Sequence, residues 1–332
     1  MESESRSHTA VKTSPPIIWI DDNPQRERTA DDLNAEFRNV QKENLADVVS
    51  ELFKGAQPHL VIIDHILDQA TTNDPLLRRG STIAEAIKER WPTCPVVGVT
   101  NADNVNDIDL RTKRAYDALL PFVHFGRYFD QITGIAREFA RVARKKPTRP
   151  RDIVDFLKPP AEEKERLEAA LPDDLKASPG DASAASRLYR WVKRLLDRPG
   201  FLYDQLWAAT FLGLTPEGFE TVKRRLTSAE YGGLFANADD PHWWVSRLSE
   251  ILYREAEPRP SEMSWHLGRR LPSIKRRHYS RCYVCGEEYP ETVAYLDASS
   301  EERHPMHLKC TELHPRYKRE LYLEDMRIMR GT

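Results

Sequence analysis

The sequence has little glycine, few cysteines and no long apolar run. Only 14 of its 332 residues are glycine, and neither a Walker-type loop nor a glycine-rich dinucleotide turn occurs. The HExxH and GxSxG strings of zinc proteases and serine hydrolases are also missing. The sequence therefore offers none of these common catalytic motifs.

No apolar run approaches the roughly 18 residues that a transmembrane helix needs, and the first residues, MESESRSHTAVKTSPP, lack the apolar core of a signal peptide. With 40% hydrophobic and 31% charged residues and a net charge of −2, the composition is that of a globular protein. We expect a cytoplasmic protein with no membrane partner. Three of its four cysteines fall between positions 282 and 310, and in a reducing compartment such clustering indicates metal binding rather than disulfides.

Four short apolar runs each end at a polar residue or a proline. They are IIWI before Asp21 and Asp22, LVII before Asp64, VVGV before Thr100, and ALL before Pro121. Unbroken runs of this length that alternate with helical stretches predict parallel strands buried on both faces. Since ligand sites of open α/β sheets lie just past the carboxyl ends of the strands, the three acids and Thr100 are expected to converge.

Three carboxylates at one spot repel each other, so either some are protonated or a hard cation such as Mg²⁺ lies among them. A metal-bound carboxylate can also attack a phosphoryl group. Asp64 is then the expected acceptor, and the Thr100 hydroxyl would contact the product.

Residues 16–146 resemble the receiver domain of two-component response regulators, through the strings IIWIDDN, LVIIDHIL and VVGVTNAD. The resemblance implies a flavodoxin-like fold with a five-stranded parallel sheet. It also implies phosphorylation of Asp64 by a histidine kinase or another phosphodonor, and a Thr100 that follows the phosphate. The implied Mg²⁺ ligands are Asp21, Asp22, Asp64 and the backbone carbonyl of Ile66.

One position departs from the family pattern. A lysine should follow the last strand, but the chain reads Leu120-Pro121-Phe122. Lys113, Arg78 and Arg127 are other cations that the chain offers, and nothing in the sequence places one at the pocket. A pseudo-receiver that uses the acidic pocket as a docking surface is therefore an alternative to a working phosphoacceptor.

A second motif lies near the carboxyl end, where Cys282 and Cys285 precede Gly286 and are followed by His307 and Cys310. Two pairs of ligands at this spacing predict a four-coordinate, structural Zn²⁺ site, and glycine permits the left-handed turn of a zinc knuckle. Residues 280–315 resemble the treble-clef zinc fingers. His304 is an alternative ligand, but His307 is preferred because residues three apart on a helix share a face.

The segment HLGRRLPSIKRRHYSRC contains six cations and no acid. Such a run can follow a phosphate backbone, or it can be a solvated arm or a contact for an acidic segment of the chain. Upstream, LWAATFLGLTPEGFETVKRRL has helix-turn-helix spacing, although its basic residues cluster at the end of the second helix. The candidate nucleic-acid-binding residues are Arg269, Arg270, Lys275, Arg276, Arg277 and Arg281.

The sequence thus predicts an α/β receiver-like domain followed by a helical domain and a small treble-clef zinc finger. The expected segments are a disordered stretch 1–15, a receiver-like domain 16–146, a linker with short helices 147–182, a helical domain 183–260, and a basic segment with a zinc finger 261–332. The predicted function is regulatory: the receiver-like phosphoacceptor or pseudo-receiver controls an output that binds nucleic acid or protein.

Two alternatives remain open at this point. One is a scaffold or adaptor that is never phosphorylated. The other is a metal-dependent nuclease built on the treble clef, with His304, Glu301 and Glu302 as its catalytic cluster. Beyond aspartyl autophosphorylation, the sequence contains no catalytic motif of its own.

Overall fold

The computed structural model describes residues 16–101, 105, 108–256, 263–296, 302–312 and 318–320, the last three by backbone alone. The predicted disordered stretch 1–15 and Glu301 lie outside these residues. The chain divides into two compact units. Unit 1 comprises the described residues up to 146 together with 181–186, and unit 2 comprises 147–180 and those from 187 onward.

Unit 1 alternates strands and helices along the chain. Its elements are β1 (Ile17–Asp21), α1 (Glu27–Asp32), β2 (Ala35–Asn39), α2 (Leu45–Lys54), β3 (Leu60–Asp64), α3 (Gly80–Arg90), β4 (Val96–Thr100), α4 (Leu110–Ala115), β5 (Ala118–Pro121) and α5 (Phe129–Lys145). The strands form one parallel sheet in the order β2-β1-β3-β4-β5. This is the flavodoxin-like strand order, and the predicted fold of this unit is confirmed.

Helices cover both faces of the sheet. Ile20 and Ile63 belong to a core cluster that includes Ile83 of α3 and several residues of α2. Trp19 and Ile62 belong to the opposite cluster, with residues of α1 and α5. Every residue of β3 and β4 is buried, because side chains alternate between two covered faces. The crossover connections leave the carboxyl ends of β1, β3 and β4 side by side.

Cys94, just before β4, is fully buried. Its S–H donates to the carbonyl of Pro58 at 3.5 Å, and burial raises the pKa of the thiol to about 12. A thiol in such surroundings is unreactive.

Unit 2 consists of short helices and two small sheets. Its elements are α6 (Pro150–Phe156), α7 (Lys164–Ala170), α8 (Asp173–Ala177), α9 (Ala184–Asp197), which begins within the 181–186 segment, β6 (Leu202–Tyr203), α10 (Gln205–Phe211), α11 (Pro216–Val222), β7 (Trp243–Trp244), α12 (Val245–Glu255), α13 (Ser264–Gly268), β8 (Thr292–Tyr295), β9 (Arg303–Met306), α14 (Leu308–Glu312) and β10 (Lys318–Glu320). The sheets are an antiparallel β10-β8-β9 sheet and a β6-β7 pair. The boundaries predicted at residues 147, 183 and 261 stay predictions.

The main core of unit 2 lies around α10, α11 and α12. Phe219 of α11 packs edge-on against Trp243, with ring centroids 4.8 Å apart. Between α10 and α11 the chain turns at Gly213, whose φ of +67° is left-handed and whose added Cβ would lie 2.7 Å from the carbonyl oxygen of Trp265. Glycine is therefore required at this turn on two counts. The two helices of the helix-turn-helix pattern are present, and Thr215 caps the second one.

In the part of the chain that the structure describes, no helix combines the length and apolar character needed to cross a bilayer.

Gly80, the first residue of α3, lies unusually close to β3. Its N–H donates to the carbonyl of His65 at 3.0 Å, and an added Cβ would lie 2.1 Å from the carbonyl oxygen of Asp64. We expect Gly80→Ala to destabilise unit 1 by roughly 1–3 kcal/mol, the usual cost of overpacking. Urea unfolding of the full chain, followed by circular dichroism, measures the change.

Gly134→Ala is the matched control for this substitution. Gly134 lies inside α5, where an added Cβ would meet nothing closer than 3.9 Å, so alanine should stabilise the helix by up to about 1 kcal/mol. Equal effects of the two substitutions would contradict the close packing of α3 on β3.

Candidate functional site

Three carboxylates converge at the carboxyl edge of the sheet in unit 1. Asp21 ends β1, Asp22 follows it and Asp64 ends β3. A carboxylate oxygen of each lies within 4.8 Å of the other two, and all three residues are buried. Thr100, also buried, ends the neighbouring strand β4. The structure thus brings together the acids that the strand pattern placed at this edge.

Among the described residues, the cation paired with these acids is Arg26, which the sequence did not single out. Its side chain is only 1% exposed. One guanidinium nitrogen lies 2.6 Å from Oδ2 of Asp21 and 3.2 Å from Oδ2 of Asp64. A single guanidinium group therefore pairs with two of the three acids.

A tight turn after β1 places Arg26 at the pocket. The side chain of Asn23 accepts a hydrogen bond from the N–H of Gln25 at 3.0 Å, and Pro24 opens a 3-10 helix that ends at Arg26. The N–H of Asn23 also donates to Oδ1 of Asp21 at 2.8 Å. An Asn-Pro pair favours such a turn, which directs the arginine back over the end of its own strand.

The guanidinium group also contacts the ends of the other strands. It donates to Oδ1 of Asn101, just after β4, at 2.6 Å, and it lies 4.4 Å from the centre of the Phe122 ring, just after β5, within the range of a cation–π contact. Arg26 Nε is buried and has no hydrogen-bond partner among the described residues. One side chain thus connects the ends of β1, β3, β4 and β5.

Burial sets the protonation behaviour of the pocket. It is the largest of the effects that together raise the pKa of Asp64 to about 7: the neighbouring charge of Asp21 also raises this pKa, whereas Arg26 lowers it. Burial also raises the pKa of Asp21, against the lowering effect of Arg26. The guanidinium of Arg26 therefore does not fully offset the cost of burying several carboxylates.

The remaining predicted residues of the pocket lie close by. Oδ2 of Asp22 accepts a hydrogen bond from the N–H of Gln69 at 2.6 Å, which ties the loop after β3 to β1. Ile66, two residues past Asp64, forms an isolated antiparallel bridge with Arg79, and its side chain is half exposed. The role of its carbonyl as a metal ligand stays a prediction.

Arg26 pairs with two of the three carboxylates that were predicted to bind Mg²⁺. The spacing of the carboxylates suits a hard cation, since their oxygens lie within 4.8 Å of one another. However, Asp21 and Asp64 each direct Oδ2 at the guanidinium. A metal ion that binds through those two Oδ2 atoms would require the guanidinium to move. Mg²⁺ binding by Asp21, Asp22 and Asp64 stays a prediction.

A second group of candidate ligands lies in unit 2. The ligand atoms of Cys282, Cys285, His307 and Cys310 all lie within 4.8 Å of one another. Gly286 has the left-handed φ of +73° expected of a knuckle. The β8–β9 hairpin follows, and Cys310 lies on α14, which begins directly after His307. The four side chains selected by their spacing are therefore together.

The two ring nitrogens of His307 face different partners. Nδ1 lies 3.3 Å from Sγ of Cys285, whereas Nε2 lies 3.0 Å from the carbonyl of Glu288. A carbonyl can only accept, so Nε2 carries the proton and Nδ1 is left with its lone pair toward the thiols. A metal-ligating histidine is commonly oriented by such a contact.

The Cys282 thiol sits among several main-chain N–H groups. Burial raises its pKa, but these hydrogen bonds, that from Cys285 first, outweigh burial and lower the pKa to about 7. The N–H of His307 contributes a hydrogen bond of 3.4 Å to the same sulfur. The site thus favours a thiolate, the form of cysteine that binds metals.

His304 does not belong to this group. Its ring stacks on Tyr283, with centroids 4.1 Å apart, and its Nε2 lies 3.6 Å from the carboxylate of Glu302.

No family model matches the chain, and no curated protein matches it either. The chain is, however, similar to solved structures of receiver domains. A CheY-like response regulator receiver domain protein from Methanospirillum hungatei JF-1 is 13% identical and covers 39% of this chain and 98% of its own, with a TM-score of 0.31. The response regulator TrrA from Thermotoga maritima, in complex with Mg(2+)-BeF, is 19% identical and covers 36% and 96%, with a TM-score of 0.28.

NtrX from Brucella abortus, in complex with ADP, is 17% identical and covers 48% of this chain and 34% of its own, with a TM-score of 0.33. Likenesses of this degree carry no functional argument. The fold of unit 1 is assigned from its own strand order and the helices on both faces of its sheet.

The six cations of the basic segment occupy different environments. Arg269 is buried between the rings of Tyr279 and Tyr289, at 4.4 and 3.8 Å from their centres, and pairs with Glu288 at 2.8 Å. It therefore packs inside unit 2 and is not available to a phosphate, which corrects its assignment to a binding surface. The exposed members are Arg270, Lys275, Arg276, Arg277 and Arg281.

We expect Asp64 to titrate near neutral pH, because burial and neighbouring charge raise its pKa to about 7 from the ordinary 3.8. Since the folded value is the higher one, the proton on Asp64 stabilises the folded state. This contribution is fully present below about pH 3.8 and is lost as the pH rises through about 7. NMR titration of the Asp64 carboxyl carbon measures the midpoint, and an ordinary midpoint near 4 would contradict burial of the group.

Arg26→Met removes the cation while keeping most of the side-chain volume. We expect it to raise the Asp64 midpoint above that of the wild type and to lower the free energy of unfolding by roughly 3–5 kcal/mol, the usual cost of leaving one partner of a buried pair alone. Arg28→Met, at an exposed position of α1, is the matched control and should change stability by less than about 0.5 kcal/mol. Similar losses in both variants would show that Arg26 is not the central cation.

Proposed function

We propose that the chain is a regulatory protein in which unit 1 is a receiver-like pseudo-receiver and unit 2 is the output. The observation that carries the proposal is the buried guanidinium of Arg26, which pairs with Asp21 and Asp64. It supplies the positive charge that a receiver would take from a metal ion. The family's lysine position is also lost, since β5 ends at Pro121 without one.

Regulation in this proposal acts through displacement of Arg26. The guanidinium contacts residues at the ends of four strands, so its movement would release those ends together. A partner that docks at the pocket edge and binds better to one arrangement than to the other would shift the population between them. The partner of unit 1 is a protein that recognises this edge of the sheet.

A working phosphoacceptor is the second candidate, favoured by Asp64 and Thr100 at the ends of neighbouring strands. In that case the partner of unit 1 is a histidine kinase or another phosphodonor. The pocket must then release Arg26 from Asp64 before the carboxylate can attack a phosphoryl group.

Incubation with Mg²⁺ and a small phosphodonor separates the two candidates. We expect no phosphate adduct on the wild-type chain by intact mass measurement, because the attacking oxygen is paired with Arg26 in a buried site. A receiver domain that accepts phosphate, in the same tube, shows that the donor is active. A single phosphate on the wild type that disappears in Asp64→Asn would overturn the pseudo-receiver and favour the phosphoacceptor.

For unit 2 we propose a structural Zn²⁺ held by Cys282, Cys285, His307 and Cys310. Three sulfur ligands and one imidazole nitrogen suit zinc, and the Nε2 contact of His307 to Glu288 supports the required tautomer. Four protein ligands leave no position for a reactive water, so this site supports folding rather than catalysis. A treble-clef nuclease is therefore the weaker alternative, since its histidine base, His304, stacks on Tyr283 instead.

Metal analysis of the purified chain tests the zinc proposal. We expect about one zinc ion per chain, and Cys282→Ser should lose it, because a serine hydroxyl does not replace a thiolate ligand. Cys94→Ser is the matched control: Cys94 is buried in unit 1, so this variant should keep its zinc. Wild-type protein without zinc, or zinc retained by Cys282→Ser, would contradict the proposal.

The output of unit 2 is binding of nucleic acid or protein. The exposed cations of the basic segment support the first, and the exposed apolar side chains of the knuckle, Tyr283 and Val284, support the second.

A further inference from the structure

An open cavity of about 600 Å³ lies in unit 2, beside the cysteine–histidine group. Its lining includes three arginines, Arg276, Arg277 and Arg281, together with Ser280, and no acid. Three guanidinium groups around one cavity repel each other and leave a strongly positive site. Such a site favours an anion with several acceptor oxygens.

Ser280 provides a second, independent sign of a ligand. The residue is only 1% exposed, and its hydroxyl oxygen is buried without a hydrogen-bond partner among the described residues. Its main chain is satisfied, because its N–H donates to the carbonyl of Gly213 and its own carbonyl accepts from Arg269. A buried hydroxyl without a partner is costly. Because Ser280 is one of the lining residues, a turn of its side chain toward an acceptor bound in the cavity would satisfy the hydroxyl.

The positive charge is only partly neutralised within unit 2. Glu288 lies 3.0 Å from Arg281 and 3.9 Å from Arg276, but it also pairs with the buried Arg269 at 2.8 Å. One carboxylate is thus shared by three guanidinium groups. The side chains of Arg276 and Arg281 remain 83% and 51% exposed, so they can turn toward a bound anion.

We propose that this cavity binds a phosphodiester group of a nucleic-acid strand. Arg276, Arg277 and Arg281 pair with the phosphate oxygens, and the hydroxyl of Ser280 donates to one of them. The inference rests on the proposal that unit 2 is the output, and it names the chemical class of the ligand. It does not depend on whether Asp64 accepts phosphate.

A nucleic-acid strand fits better than a phosphorylated peptide because the cations extend beyond the cavity. Arg270 and Lys275 are exposed in the same segment, outside the lining residues. A strand carries one charge per nucleotide and can contact the cavity and these flanking cations together. A phosphopeptide offers one phosphate, which the cavity alone would hold.

Fluorescence anisotropy tests the site: short single-stranded DNA, single-stranded RNA and a phosphoserine peptide, each labelled, are titrated with the full chain over a salt series. The triple variant Arg276→Gln, Arg277→Gln, Arg281→Gln should bind at least tenfold more weakly. The slope of log affinity against log salt should become shallower by roughly 2, at about 0.7 for each phosphate contact on a single strand. Arg198→Gln, an exposed position in unit 2 that does not line the cavity, should leave both quantities unchanged.

Ser280→Ala tests whether the strand contacts the cavity itself or is held only by the positive charge of the basic segment. It removes one hydroxyl and no charge, so affinity should fall by about tenfold or more, the usual effect of losing a hydrogen bond to a charged group, with an unchanged salt slope. Circular dichroism and zinc content confirm that each variant is folded.

Three results would overturn the inference. The first is wild-type affinity in the triple variant, which would place nucleic-acid binding elsewhere on the output. The second is no binding of either strand by the wild type while a phosphopeptide binds, which assigns the cavity to a protein partner and leaves the regulatory proposal standing. The third is no binding of any of these probes.

Discussion

The ion pairs of Arg26 are the interaction on which the acidic pocket depends. Three buried carboxylates at the ends of adjacent strands repel each other and lose their hydration, and both effects disfavour the folded state. The guanidinium offsets part of this cost through Asp21 and Asp64. The same group also contacts Asn101 and Phe122. It therefore links the ends of four strands, in addition to backbone hydrogen bonds at this edge such as those from His65 to Val99 and from Phe122 to Thr100. The protonation of the acids and the positions of the strand ends therefore depend on the same side chain.

A comparable arrangement occurs in unit 2, where Glu288 joins three features. Its carboxylate pairs with the buried Arg269 and with Arg281 at the cavity, and its carbonyl accepts from Nε2 of His307. The orientation of His307, a candidate metal ligand, and the net charge at the cavity thus both depend on Glu288. A metal ion that fixes the imidazole would also restrict the backbone of Glu288, so metal occupancy and anion binding are expected to be linked in this unit.

Most of unit 1 follows from local patterns in the sequence. Apolar runs such as LVII before Asp64 predict strands buried on both faces, and parallel topology brings the acids after them together. The spacing of Cys282, Cys285, His307 and Cys310 likewise predicts that these four side chains lie close together. Arg26 could not be predicted this way, because its position depends on the Asn-Pro turn and on how far a long side chain reaches. Arg269 was misassigned for a related reason: a run of cations looks solvated, and only tertiary packing reveals the two tyrosines that enclose it.

The burial of Cys94 has a consequence for chemical labelling. Cys94 is fully buried and burial raises its pKa to about 12. Its thiol is therefore not expected to react with alkylating reagents as long as unit 1 is folded. The other three cysteines all belong to the group with His307. Every thiol that reacts in the native chain therefore belongs to that group, and three maleimides per chain are the most that can be added while unit 1 is folded.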